Sequence, residues 1–328
     1  MKAAVAALAL TAALAGSAPV AAAAPGPLEE ARRAAEQTPF SGVMEVRWVD
    51  GPETRSERLI VTATDSVLSV FGGNRVMAFD PFERLVSHGG GSWEELWVAT
   101  MEPSARPDGV AKYQVTDVAG GPTVAGRPTT TVEIRQDGVV RERLYLDTAT
   151  RLALRREQYD RQGAISRSLG FETFMVGAGD VPAHPVSFRK QSPRPVSAER
   201  VSSALAPDEL ADAYRRLGIY RSGDVVQVLY SDGVYDLSLF QQSGRLRQAD
   251  LPAGERVAIG SSAGRRYAWA GGHLVVWSSR GTVFTAVSDA PLDQVLQAVR
   301  SMPPAPERAS SLLGKLRRAC KTLMEPLS

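Results

Sequence analysis

The chain is poor in the residue types that build metal sites and redox centres. It contains one cysteine, Cys320, and three histidines among 328 residues. A single cysteine excludes both an intramolecular disulfide and a dithiol redox pair. His88, His184 and His273 are far apart in the sequence, and none has a neighbour at the spacing of metal ligands. The sequence therefore predicts neither a metal nor a cofactor.

The chain also lacks an excess of charge of either sign. It has 38 basic and 36 acidic residues, a net charge of +2, which becomes +1 once Lys2 is removed with the leader described next. Nucleic-acid-binding proteins usually carry a strongly basic surface, because they must neutralise phosphates. We therefore predict that nucleic acid is not a partner.

The N-terminal segment has the three parts of a secretory signal peptide. Lys2 provides the positive end, an alanine-rich apolar run continues to Val20, and Ala21–Pro25 supplies small residues for cleavage. We predict cleavage after Ala23, so that residues 1–23 are the leader and the mature chain is periplasmic. An uncleaved membrane anchor is the alternative, although a run made mostly of alanine is only weakly hydrophobic.

The first predicted domain spans residues 27–177 and consists of a helix followed by strands. Leu28–Gln37 is rich in helix-forming residues and ends before Pro39. From Phe40 onward the apolar residues recur every second position, which is typical of a strand with one buried face. Turn sequences such as Gln136-Asp137-Gly138 separate the strand candidates and predict an antiparallel sheet. The further candidates are Glu53–Thr62, Ser66–Phe71, Arg75–Phe79, Glu83–His88, Lys112–Val118, Thr129–Gln136, Val139–Asp147, Leu152–Tyr159 and Ile165–Val176.

A proline-rich linker is predicted at 178–200, because four prolines there would interrupt either a helix or a sheet. The second domain, 201–302, is predicted to contain a small antiparallel sheet with one or two helices. Pro207–Leu217 is one helix candidate, and a helix from Pro291 to about Met302 is the other. The strand candidates are Val225–Tyr230, Val234–Gln241, Val257–Gly260, Arg265–Ala270, His273–Ser278 and Thr282–Val287.

Residues 303–328 form a short proline-rich linker and a basic tail. Leu312, Leu316, Ala319 and Leu323 recur at helical spacing among Lys and Arg residues, a pattern suited to a membrane surface or a partner helix. A tail helix that packs on its own domain or frays is the alternative. Cys320 lies in this tail, where it is either an incidental thiol or a site of intermolecular bridging.

Two short motifs imitate a hydrolase. Gly260–Gly264 matches G-x-S-x-G, and His88–Gly91 imitates an oxyanion motif. A nucleophile elbow needs a helix after its serine and an acid and a histidine later in the chain. The residues after Gly264 read as a strand, and no acid lies between Ser262 and His273. We therefore predict that the protein is not an enzyme and has no catalytic residues.

The first domain offers an apolar surface as its candidate ligand-binding site. Alternate strand residues could line the inner side of a curved sheet and enclose an apolar ligand such as an acyl chain. An ordinary core covered by the Leu28–Gln37 helix is the alternative. The candidate lining residues are Met44, Val46, Trp48, Leu59, Val61, Leu68, Val70, Met77, Phe79, Trp93, Trp97, Leu144 and Leu146.

Several stretches resemble the MucB/RseB family, whose members restrain an envelope-stress sigma factor by binding an anti-sigma protein. In the first domain they are Gly126–Thr129, Thr131–Ile134, Arg143–Leu152 and Arg155–Gly163, and in the second they are Leu217–Tyr220, Val225–Gln241 and Pro291–Met302. The resemblance implies an α+β fold: a curved antiparallel open β-barrel with a packed helix, like that of lipoprotein carriers, followed by a smaller antiparallel-sheet-plus-helix domain.

The resemblance also implies a function. It predicts an exported negative regulator that binds the extracytoplasmic segment of a membrane-bound anti-sigma factor and could sense the acyl chains of lipid, lipoprotein or lipopolysaccharide. The alternative is a carrier of lipid or lipoprotein in the cell envelope.

Overall fold

The structure is a computed structural model that describes two sheets and two helices. The described residues are 26–63, 68–72, 75–79, 86–88, 112–177, 194–195, 206–222, 225–247, 251 and 253–304. The predicted signal peptide, most of the predicted linker and the tail after Pro304 lie outside these ranges, and so does the His88–Gly91 motif after its histidine.

The first sheet contains ten antiparallel strands in the order β5-β4-β3-β2-β1-β10-β9-β8-β7-β6. No pairing joins β5 to β6 within the described ranges, so the curved sheet is open there, as the family resemblance implied. The strands are β1 (Phe40–Asp50), β2 (Glu53–Ala63), β3 (Leu68–Gly72), β4 (Arg75–Phe79), β5 (Val86–His88), β6 (Gln114–Val118), β7 (Thr129–Gln136), β8 (Val139–Asp147), β9 (Ala153–Tyr159) and β10 (Ile165–Val176).

Helix α1 (Pro27–Gln37) packs on one face of this sheet, which we call the inner face. Pro27 stands at the first helical position, where its missing N–H costs nothing, and Glu29 and Glu30 complement the positive end of the helix dipole. Leu28 and Ala31 are buried against the sheet. The predicted Leu28–Gln37 helix is confirmed.

The backbones of β1 and β10 approach closely at one point of their antiparallel pairing. The pairing register shifts between Val43 and Met44, which marks a bulge. A Cβ atom added to Gly42 would lie 2.1 Å from the carbonyl oxygen of Thr173. Only glycine therefore fits this position without moving a strand.

The second sheet contains nine antiparallel strands, ordered β11-β13-β14-β15-β19-β18-β17-β16 with β12 beside β13. Helix α2 (Leu292–Arg300) buries Val295, Ala298 and Val299 against it. The strands are β11 (Arg194–Pro195), β12 (Glu209–Leu210), β13 (Tyr214–Ser222), β14 (Val225–Ser231), β15 (Asp236–Ser243), β16 (Glu255–Ile259), β17 (Ser262–Trp269), β18 (Gly272–Ser279) and β19 (Thr282–Ser288).

The predicted helix over Pro207–Leu217 is wrong. The chain forms β12, reverses, and continues as β13, which pairs with β14. Asp212 and Ala213 take φ angles of 65° and 60°, which end any right-handed helix. The reversal buries Tyr214 completely. Tertiary burial has overridden helix propensity here.

The G-x-S-x-G match lies in a β-hairpin. Ile259 and Ser262 pair across the turn that joins β16 to β17, and Ser262 begins a strand. A nucleophile elbow would need a helix at this point. The strand predicted after Gly264 is therefore confirmed, and this motif has the wrong local structure for a hydrolase.

Candidate binding surfaces

Four of the predicted lining residues meet on the inner face. Met44, Val46, Leu59 and Val61 are buried in one apolar cluster, at most 4% exposed. Leu169, Phe171 and Phe174 of β10 belong to the same cluster, and Ala34 and Ala35 of α1 pack against it. The C-terminal half of α1 therefore contacts this cluster.

Trp48 lies at the margin of the same cluster, partly buried. Its indole Nε1 is buried and has no hydrogen-bond acceptor among the described residues. A buried donor without an acceptor is costly, because it has lost its water and gained no partner. Trp48 therefore offers an unused N–H beside an apolar cluster.

The positions in β3 and β4 are described by their pairing alone. Val70 pairs with Val61 and Met77, and Leu68 pairs with Ala63 and Phe79. Directly paired residues share a face of a sheet. Leu68, Val70, Met77 and Phe79 therefore occupy register positions on the inner face. Trp93 and Trp97 lie outside the described residues.

Leu144 and Leu146 are fully buried, but in a different cluster. They pack with Val132 and Ile134 in an apolar core that continues into the second domain through Tyr235. The structure therefore does not bring them together with the Met44 cluster. They contribute to a core that the two sheets share.

A polar band separates the two clusters on the inner face. Pairing across the sheet places Val46, Leu169, Arg156 and Leu144 in one row. The next row runs through Trp48, Arg167, Gln158 and Glu142. Charged and amide side chains thus occupy positions that a period-two pattern assigns to the core. The predicted apolar surface is interrupted at its centre.

The second domain docks on this polar band. Arg156, which is fully buried, donates from Nε and Nη2 to the two carboxylate oxygens of Glu142 at 2.9 and 2.8 Å. Its Nη1 donates to Asp289 of the second domain at 2.9 Å. Gln158 Nε2 donates to the backbone oxygen of Asp289 at 2.7 Å. The Arg156 guanidinium therefore connects the two domains, with a bidentate pair of charge-assisted hydrogen bonds to Glu142 and a single one to Asp289.

The electrostatics of the band favour a permanently charged Arg156. Burial opposes its charge, but Glu142 and Asp289 outweigh burial and raise the pKa of Arg156 above its ordinary value. Arg167 forms no ion pair with a described carboxylate, and burial together with the charge of Arg156 lowers the pKa of Arg167 to about 9. It donates to the backbone oxygen of Ala270, in the turn between β17 and β18, at 2.5 Å from Nη2.

A second polar contact closes the domain interface beside β6. Lys112 Nζ lies 2.6 Å from a carboxylate oxygen of Asp232 and 3.3 Å from one of Asp212. The Tyr113 hydroxyl donates to Asp232 at 2.8 Å. Burial raises the pKa of Asp232, while Lys112 opposes that effect. The segment that enters β6 is thus anchored on the second domain.

The domain interface was not predicted from the sequence, although Glu142 and Arg156 lie within strands that were. Glu142 and Arg156 each occupy the apolar phase of a strand, two positions from Leu144 and Leu154 respectively. A charged residue at a strand position that faces the core is the sequence signal that could have predicted a buried polar contact there. Its partner Asp289 is remote in sequence, so the docking itself left no local pattern.

The described residues also bear on metal binding and on membrane insertion. No group of three or more His, Cys, Asp or Glu side chains there is arranged to hold a metal ion. Neither described helix is long and apolar enough to cross a membrane.

The fold and interface define a two-domain α+β protein in which a sheet-and-helix domain docks on the inner face of an open curved sheet. This is the fold of MucB. The crystal structure of MucB matches with 17% identity and a TM-score of 0.52, covering 85% of this chain and 97% of that chain. The resemblance to the MucB/RseB family is thus confirmed at the level of the fold.

Two structures of complexes also match. The complex of Pseudomonas aeruginosa MucA/MucB is 19% identical, with a TM-score of 0.49, and covers 86% of this chain and 98% of that chain. MucB in complex with MucA(peri) is 18% identical, with a TM-score of 0.47, and the match covers 85% of this chain and 98% of that chain. No protein-family model and no curated protein matches the chain.

Proposed function

We propose that the protein is an exported binding protein that restrains an envelope-stress sigma factor. It binds the extracytoplasmic segment of a membrane-bound anti-sigma factor and shields that segment from proteolysis, so that the sigma factor stays inactive. The predicted leader, residues 1–23, would deliver it to the periplasm. It acts by binding and not as an enzyme.

The observation that carries this proposal is the shared two-domain fold. The match to MucB supports the proposal, because it covers 97% of MucB and 85% of this chain. MucB is also the protein found in complex with MucA. A fold alone does not define a partner. The proposal therefore depends on a direct test of binding.

The test is capture of the partner from the envelope. The tagged mature chain is incubated with a detergent extract of the membranes of its own organism, and bound proteins are identified by mass spectrometry. We expect enrichment, over beads without the chain, of a membrane protein whose cytoplasmic segment binds a sigma factor. Recovery of no such protein would contradict the proposal.

A lipid or lipoprotein carrier is the second candidate. The unused indole N–H of Trp48, next to the Met44 cluster, supports it because a carbonyl or headgroup oxygen of an acylated ligand could accept that hydrogen bond. Native mass spectrometry of protein purified from its own envelope should then show an acylated ligand. Trp48→Glu should abolish it, and unchanged occupancy would count against this site.

Lipid could also act as a signal to the regulator. Affinity for the captured membrane protein would then differ with and without saturating lipid or lipopolysaccharide fragments. Equal affinities with confirmed lipid binding would exclude lipid sensing and leave the regulator intact.

A further inference from the structure

Helix α2 covers only one face of the second sheet. Val295 and Val299 of α2 share an apolar cluster with Val275 and Trp277 of β18. Because strand residues alternate between faces, Leu274 and Val276 belong to the opposite face. We call that opposite side the outer face of the second sheet.

The outer face is apolar and aromatic. Its cluster consists of strand residues alone, without a residue of either described helix. Pairing confirms the shared face, since Leu274 lies between Val287 and Tyr267. Leu229 and Val287 are buried beneath partly exposed neighbours. Those neighbours include Tyr220, Phe240, Trp269 and Leu274.

Two arginines lie directly opposite each other on this face. Arg256 of β16 pairs with Arg265 of β17, and Arg265 pairs on its other side with Val276. Like charges at directly opposed positions destabilise a sheet. Among the described side chains, neither arginine has a carboxylate within ion-pair distance. Arg265 instead donates from Nη1 to the backbone oxygen of Gly254 at 3.0 Å.

Two buried donors of the outer face find no acceptor within the part of the chain that the structure describes. They are Arg265 Nε and Trp269 Nε1. They stand four residues apart on β17, which places both on the outer face. The complementary ligand must therefore supply acceptors and negative charge beside apolar groups.

We propose that the outer face docks an acidic, apolar segment of a partner protein, with carboxylates at Arg256 and Arg265 and apolar side chains on Trp269, Leu274 and Phe240. Charge complementarity identifies this occupant. The donors are few and partly buried, a geometry that suits individual carboxylates better than the plane of a bilayer. The inference rests on the proposed function in that the segment belongs to the bound membrane protein.

The first test measures fluorescence polarisation of labelled peptides with the whole mature chain. One peptide alternates Leu and Phe with Glu, and its matched counterpart carries Lys in place of Glu. We expect the acidic peptide to bind at least about tenfold more tightly, because hydrogen bonds to charged groups are stronger than neutral ones. Equal affinities, or binding to phosphatidylglycerol vesicles without binding of the acidic peptide, would overturn the inference.

The second test reverses the two charges. Arg256→Glu with Arg265→Glu should exchange the preference, so that the Lys peptide binds better, a result that misfolding does not produce. The control is Arg47→Glu with Arg55→Glu on the β1–β2 hairpin, where both side chains are more than half exposed. It should leave the preference unchanged. Loss of preference in the control as well, or no exchange in the first variant, would refute the assignment.

Envelope capture separates this inference from the proposed function. If the charge-reversed chain captures the membrane protein as well as the unaltered chain does, the outer face is not its docking site, yet the proposed function stands. If the unaltered chain binds the acidic peptide but captures no anti-sigma factor, the proposed function fails instead.

Discussion

Replacing Arg156 with methionine should strongly destabilise the folded protein, because Arg156 is the cation at the centre of the domain interface. The substitution keeps an unbranched side chain but removes the only cation that contacts both Glu142 and Asp289 among the described residues. Glu142 is fully buried and Asp289 nearly so. Removing one partner of a buried ion pair leaves an uncompensated charge and costs about 3–5 kcal/mol.

The assay is equilibrium unfolding in guanidinium chloride, followed by circular dichroism. The control is Arg58→Met in β2. Arg58 is 74% exposed and lies 3.0 Å from its ion-pair partner Glu172. Exposed pairs contribute about 0–1 kcal/mol, so the control should remain close to the unsubstituted protein.

Neutralising the stranded carboxylates should recover part of the lost stability. Adding Glu142→Gln and Asp289→Asn to Arg156→Met removes both buried charges, so the triple variant should be more stable than the single one. This non-additivity is expected of groups in one network. If Arg156→Met lowers the free energy of unfolding by less than about 1 kcal/mol, the ion pairs of Arg156 do not stabilise the domain interface.

Gly42→Ala should lower the free energy of unfolding by about 1–3 kcal/mol in the same assay, because the new Cβ would collide with the Thr173 carbonyl. The control is Gly26→Ala, where a Cβ meets nothing within 4 Å. Equal stabilities of the two variants would refute the close packing at Gly42. Burial, with Arg266 next, lowers the pKa of His273 to about 3, below its unfolded value of about 6.5. The unfolded chain therefore binds the extra proton between these values, and stability should fall as pH drops from about 6.5 towards 3. In His273→Leu, the slope of the unfolding free energy against pH should decrease by the amount that corresponds to about one bound proton. The slope is measured from unfolding curves at a series of pH values, and an unchanged slope would count against a buried, neutral imidazole.

Local pattern was sufficient to predict most strands. Thr129–Gln136 and Val139–Asp147 were predicted with the bounds that the structure shows, because a clear Asp-Gly turn separates two alternating segments. The Pro207–Leu217 helix failed because the left-handed residues Asp212 and Ala213 respond to burial of Tyr214, a tertiary effect.

The candidate site was predicted less completely. Alternation correctly placed Met44 and Val46 on the buried face, but it grouped them with Leu144, which packs in the core shared with the second domain. The polar band between them depends on Asp289, which lies 133 residues from Arg156. Contacts at that separation leave no periodicity to detect, so the domain interface required the structure.

The most direct test of the central claim is protection of the partner segment. The extracytoplasmic segment of the captured membrane protein is digested with a broad-specificity protease, alone and with equimolar mature chain. The account predicts markedly slower cleavage when the chain is present, and no slowing with the chain unfolded beforehand. Cleavage at the same rate with and without the folded chain would contradict a role as a regulator that shields an anti-sigma factor.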